Sequence, residues 1–293
     1  MAEQHQIQIN LPGLLRMLGE NIYAEADVAI REMIQNAHDT CIIRGTQDDS
    51  FQSPQIHISF DKARQTLSIA DNGTGMTEAD LHKNLATIGE SFTRIQREQL
   101  RQQDAREAAL LIGQFGIGLL SAFSISRQVE VFTRHWQDDQ GFRWVCEGDI
   151  HYTIEPYNKT TNGTTVILRL LDSKLELLDE SRLRQAIKKY ADFLSIPIFL
   201  NGNQANACTP PWESENTDLS EYIQKRWDLL PFSIIAFDTE AMKSDQSLPR
   251  VSGLLFVPLI PFELSRHFGE IDIYISRMFI KAALSKWLRL VCK

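Results

Sequence analysis

The segment Ile30 to Asp39, Ile-Arg-Glu-Met-Ile-Gln-Asn-Ala-His-Asp, constrains this chain more than any other. At 3.6 residues per turn, Glu32, Asn36 and Asp39 fall on one face of a helix, while Ile30, Ile34, Ala37 and Cys41 fall on another. The apolar face needs something to pack on. A polar stripe opposite a packed one is ordinarily solvated surface. Two glycine-bearing segments downstream give this stripe another use.

The first follows a pair of strands. Ile56 to Phe60 alternates with period two, a polar turn covers Asp61 to Gln65, and Leu67 to Ala70 returns, which predicts a hairpin packed by one face, with His57 facing solvent. The second strand runs into Asp71-Asn-Gly73-Thr-Gly75-Met76. Glycines behind a strand usually mark a turn. Here they also leave Asp71 at a strand end as a hydrogen-bond acceptor for an amine, with Gly75 permitting close approach to a flat ligand. Thr77 and Asp80 resemble a capping arrangement opening a helix through Leu81, Leu85 and Ile88, closing near Gly89. Residues 90–108 are rich in Gln and Arg and read as a solvated segment. Then comes Gly113-Gln-Phe-Gly116-Ile117-Gly118, before an apolar helical stretch from Leu119 to Ile125. Glycines before a helix present N–H groups to a phosphate chain, and a polar segment just upstream can close as a lid. The Gly-Lys-Ser/Thr ending of a P-loop is missing.

The remaining pattern is α+β. A helix is expected from Asn10 through Ile22, and strands at Arg127–Thr133, Phe142–Cys146, His151–Ile154 and Thr164–Leu170 make one largely antiparallel sheet. A helix over Glu180–Leu194 and a short strand at Ile196–Leu200 close a first domain, and a proline-marked connector leads into a second. That second domain reads as a helix at Leu219–Trp227, strands near Phe232–Phe237, Val251–Val257 and Ile271–Ser276, and the start of a helix over Phe279–Val291.

A net charge of -8 and a pI near 5.4 argue against nucleic acid as a partner, since binding phosphates takes clustered basic surface. Cys41, Cys146, Cys208 and Cys292 are scattered without a Cys-x-x-Cys pair, the N-terminus lacks the pattern of a secretion signal, and the apolar stretch from Val251 to Leu264 is broken by Pro258 and Pro261. These features predict a cytoplasmic protein without a membrane span.

In order and spacing, Glu32-x-x-x-Asn36-x-x-Asp39, Asp71-x-Gly73-x-Gly75-Met76 and Gly113 to Gly118 resemble the three boxes of the GHKL ATPases. Asn84-Leu-Ala-Thr-Ile-Gly89, Ser121-Ala-Phe123, Asn162-Gly-Thr164, Lys188 to Phe193, Pro211-Trp212 and Ile273 to Ile280 extend that likeness to the ninety-kilodalton heat-shock chaperones. The resemblance implies a Bergerat-type two-layer α/β sandwich over residues 1–202 with a lid at about 90–112, a linker at 203–211, and a partial α+β middle domain over 212–293. It implies ATP or ADP with Mg2+ as cofactors and client polypeptides as partners, with a homodimer only in a full-length form. Glu32 would position or deprotonate the attacking water, and Asn36 would bind Mg2+. Asp71 would accept the adenine amino group, with Gly75, Met76 and Asn84 lining the nucleoside and Thr164 behind the base. Asp39 belongs to the same nucleotide-binding set, as does Leu119. Gly116, Ile117 and Gly118 would offer N–H groups to the phosphates.

Three departures bear on turnover. Glu90 stands where these chaperones commonly have a lid lysine, Leu119 where phenylalanine is usual, and the chain stops at Lys293, before the family's γ-phosphate arginine and dimerisation domain. The expected activity is therefore slow ATP hydrolysis driving lid closure and client folding. The alternatives are a nucleotide sensor that does not turn over and a GHKL ATPase of the DNA-repair type.

Overall fold

Helix α1 (Ala26–Gln47) buries Ile30, Met33, Ile34, Ala37 and Cys41 against a single mixed sheet. The computed structural model describes residues 26–86, 98, 111–112, 118–149, 151–215, 217–239, 251–259, 270–275 and 277–284. The helix expected from Asn10, most of the 90–112 segment, and Gly116 and Ile117 lie outside the described residues. Two compact units emerge, residues 26–206 with 274–280, and residues 207–273 with 281–284.

In the first unit, β1 (Ile56–Asp61), β2 (Thr66–Asp71), β3 (Ser126–Arg134), β4 (Gly141–Cys146), β5 (Tyr152–Tyr157), β6 (Gly163–Leu170), β7 (Ile198–Leu200) and β8 (Asn203–Gln204) form an eight-stranded sheet in the order β5-β4-β3-β6-β2-β1-β7-β8. All neighbours are antiparallel except β1 and β7. This is the expected α+β class. Burial alternates along the strands, so Ile56, Ile58, Leu67, Ile69, Val129, Val131 and Leu168 share one face with α1. The opposite face is polar and ordered across strands: Arg143 on β4 bonds Glu130 on β3 and Glu155 on β5, both at 2.7 Å, and the two carboxylates raise its pKa. His57 is on this exposed face, stacked on Phe199.

Short helices complete the packed layer. α2 (Glu78–Ala86) opens on a capping box in which Asp80 accepts from the Thr77 N–H and hydroxyl while the Thr77 oxygen accepts from Asp80 N. α3 (Gly118–Phe123) packs on α1 and leads into β3. α4 (Glu180–Tyr190) is capped by Asp179 and tied to the start of α1 by an Arg182–Asp27 ion pair at 2.7 Å. It ends at Tyr190, short of the Leu194 expected from periodicity; Asn206 then bonds the carbonyls of Leu194 and Ile196 and the Ile198 N–H.

The second unit contains α5 (Leu219–Trp227), capped by Asp218 and ended by Asp228 in the left-handed region, and the hairpin β9 (Pro231–Asp238) with β10 (Ser252–Pro258). Trp227 packs on Phe256 at 5.3 Å between ring centres. One expectation is overturned in the last described residues, which are divided between the two units. Met278–Leu284 is strand β12, not the beginning of a helix, and it pairs with β11 (Glu270–Ile275). Arg277, at φ 66, turns the chain back on itself, and the pairing that results outweighs the local helical spacing of Phe279, Ala282 and Ala283.

Candidate functional site

Asp71 is the last residue of β2, and its carboxylate meets three elements at once. Oδ1 accepts from Gly73 N at 2.9 Å, Thr164 N at 3.3 Å and the Thr40 hydroxyl at 3.3 Å. Among the described residues Oδ2 accepts nothing. Burial pushes the Asp71 carboxyl up to about 6; the N–H groups of Gly73 and Thr164, the Thr40 hydroxyl and the charge of Lys159 pull the other way. An acceptor oxygen is thus left over at the end of a central strand, on a group whose charge is only partly compensated.

The loop after Asp71 is built by close approaches. A Cβ at Gly73 would sit 2.6 Å from the Thr40 carbonyl carbon, so this loop lies directly on α1, and Thr74 N donates to the Thr40 carbonyl at 3.3 Å. Gly75 has φ +65, and the space a Cβ would need is filled by the Arg134 carbonyl at the end of β3. Its small size is used against protein backbone. Met76 N donates to Thr133 Oγ1 at 2.9 Å, and that oxygen lies 3.1 Å from Thr164 Oγ1. Thr164 and Thr133 are both buried, so Asp71, Met76, Thr133 and Thr164 form one polar cluster at the junction of β2, β3 and β6. Two buried oxygens, Thr74 Oγ1 in this loop and Asn84 Oδ1 on α2, have no hydrogen-bond partner among the described residues.

Along α1 the polar stripe runs from solvent into the interior. Asn36 is exposed, Glu32 is half-buried and receives a hydrogen bond from Arg31 at 2.6 Å, and Asp39 is fully buried. Both oxygens of Asp39 accept from Ile112 N, at 3.0 and 3.2 Å, and His38 Nδ1 lies 3.3 Å away. Asp39 therefore holds the backbone at Ile112, at the end of the 90–112 segment. Gly118 is the first residue of α3 and Leu119 follows within that helix.

Sequence reasoning missed Thr40, Thr133 and Lys159. Thr40 was within reach, because it extends the Glu32–Asn36 stripe by one more turn. Thr133 had a weaker signal, a hydroxyl at an inward position of a period-two strand. Lys159 lies in the β5–β6 connection, where no pattern marks it; burial lowers its pKa and the charge of Asp71 raises it.

A family profile described as "Histidine kinase-, DNA gyrase B-, and HSP90-like ATPase" matches residues 24–166. The chain is 32% identical to the chaperone protein HtpG of Vesicomyosocius okutanii, over 99% of this chain and 52% of that protein. It is 32% identical to HtpG of Ruthia magnifica, again over 99% of this chain and 52% of the other. With the mitochondrial heat shock protein 75 kDa of Rattus norvegicus it shares 30% identity, over 99% of this chain and 43% of that one. The chain spans about half the length of the curated relatives it matches. No helix among the described residues is long and apolar enough to cross a membrane. With the sheet, the aspartate at the end of β2 and the polar face of α1 arranged as described, these matches mean that the chain belongs to the ninety-kilodalton heat-shock group of the GHKL ATPase family.

Proposed function

We propose that this chain binds Mg-ATP on the α1–β2 side of its sheet and hydrolyses it slowly, as the nucleotide-driven part of a chaperone acting on client polypeptides. The observation that carries the reading is the open Oδ2 of Asp71 beside a saturated Oδ1. A carboxylate oriented in this way accepts from the exocyclic amine of adenine. Gly75, Met76 and Asn84 line the nucleoside, and Thr164, whose N–H already bonds Asp71, lies behind the base. The unpartnered Asn84 Oδ1 supports a polar ligand at this wall.

Gly116, Ile117 and Gly118 would offer N–H groups to the phosphates, and of these Gly118, the first residue of α3, is among the described residues. Asn36 is the residue that would hold Mg2+: its amide is exposed on α1, and one hard oxygen ligand with waters and phosphate oxygens is an ordinary magnesium environment. When bound, the ion would neutralise charge on the phosphates. Glu32, one turn away, orients the attacking water and takes its proton, a role worth typically 10² to 10⁴ in rate. Asp39 completes the set from the interior, by fixing the backbone at Ile112. Residues 1–202 are assigned to the ATP-binding domain with a lid at about 90–112, 203–211 to a linker and 212–293 to the start of a middle domain. The division of the described residues at Asn206 and Ala207 supports the linker, while Tyr274–Ile280 group with the first unit instead of with the rest of 212–293. We place the protein in the cytoplasm, without nucleic acid as a partner, and expect a homodimer only in a full-length form.

The test is turnover of ATP by the wild type and by Glu32→Ala, with ADP binding measured in parallel. The reading expects a slow wild-type rate that Glu32→Ala lowers at least 10²-fold while ADP affinity is kept. Equal, buffer-level rates with retained binding would replace the ATPase by a sensor that does not turn over.

A further inference from the structure

Thr40 lies on α1 against the Asp71 loop, and its side chain is one of the donors that fill Asp71 Oδ1. Its hydroxyl has one proton and two acceptors in range, Asp71 Oδ1 at 3.3 Å and the Ala37 carbonyl at 3.0 Å. A hydrogen bond to an ionised acceptor is about twice as strong as one between neutral groups. The proton therefore turns to Asp71 when the carboxyl is charged and to Ala37 when it is not. Deleting the donor leaves the charged form less well supported than the neutral one.

The position of the carboxyl proton then matters for the ligand. Oδ1 is occupied by the N–H groups of Gly73 and Thr164, so a proton taken up by Asp71 goes to Oδ2. Oδ2 changes from acceptor to donor. An acceptor there selects a base bearing an amino group at that position, and a donor there selects a carbonyl.

We infer that Thr40 is a positioning residue that sets base preference, by holding Asp71 in the form whose outward oxygen accepts rather than donates. This rests on the reading of Asp71 as the partner of the base. The other groups facing this carboxyl are Cys41 on α1, buried and with its thiol held well above the usual range, and Lys159 from the β5–β6 connection, with Arg134 beside it; Arg44 acts on Cys41. Burial already pushes Asp71 up to about 6, so loss of one donor moves its titration into the neutral range.

The experiment is calorimetric titration of the whole chain with ADP and with inosine diphosphate, from pH 5.5 to pH 8.5. It compares the wild type, Thr40→Val, which keeps the shape and loses the donor, and Thr40→Ser, which keeps the donor. In Thr40→Val the pH at which ADP affinity is half-lost should move up by about half to one unit, an effect of about 1.5- to threefold near pH 6.5. The preference for ADP over inosine diphosphate should shrink at that pH and recover toward pH 8.5, and Thr40→Ser should follow the wild type. Equal loss for both nucleotides at every pH, or a Thr40→Val profile that superimposes on the wild type, overturns the inference and leaves the nucleotide site standing. A wild type that binds neither nucleotide overturns both.

Discussion

Asp71 is a carboxyl whose folded environment works against its charge, and this gives it an unusual signature in stability. Its pKa is about 6 in the fold, above the 3.8 of an unperturbed aspartate, so between those values the native state binds more protons than the unfolded chain. The stability it contributes is therefore present at low pH and lost as pH rises through about 6. Asp71→Asn keeps an Oδ1 for Gly73 and Thr164 and removes the charge. Relative to wild type, the variant should gain of order 1–2 kcal/mol as pH rises from 5 to 7.5, measured by urea unfolding at each pH. A constant difference would mean that Asp71 ionises as freely in the fold as in the unfolded chain. Gly75 carries a second residue-scale prediction. At φ +65, with the Arg134 carbonyl in the place of a side chain, Gly75→Ala should cost about 2–4 kcal/mol, read as a lower urea midpoint with an unchanged slope.

Among the elements, α2 depends on its first turn. The reciprocal bonds between Thr77 and Asp80 satisfy N–H groups that the helix cannot, so Thr77→Ala and Asp80→Ala should each destabilise by about 1 kcal/mol. The double variant should cost less than their sum, since each side chain needs the other. This box was legible in the sequence because its chemistry is local: two residues three apart. The β1–β2 hairpin, α1 and α5 were legible for the same reason, through period two or period 3.6. What escaped was decided at a distance. Met278–Leu284 has apolar residues that suit a helix, and only the turn at Arg277 and pairing with β11 make it a strand. In the site, the sequence pointed to Asp71 and to Thr164, but not to the hydroxyl that Thr40 brings from α1 or to the backbone N–H by which Thr164 meets Asp71. It also could not show that one helical face passes from exposed Asn36 to buried Asp39, because burial depends on what the rest of the chain lays over the helix.

At the scale of the whole molecule, the proposed function assigns nucleotide binding to the unit holding the eight-stranded sheet, so ligand should stabilise that unit selectively. At a free ADP concentration one hundred times the dissociation constant, unfolding of the first unit should become harder by about 2.7 kcal/mol. Hydrogen exchange should then slow on β2, α1 and β6 and stay unchanged on α5 and β9. Protection spread evenly over both units would point to a ligand bound elsewhere. The claim on which the account rests is that Asp71 receives the base of a nucleotide. Calorimetric titration of ADP into the wild type and Asp71→Asn at pH 7.5 tests it most directly. The account predicts saturable one-to-one binding by the wild type and no measurable heat of binding with a folded Asp71→Asn. Tight binding by that variant, or none by the wild type, would contradict it.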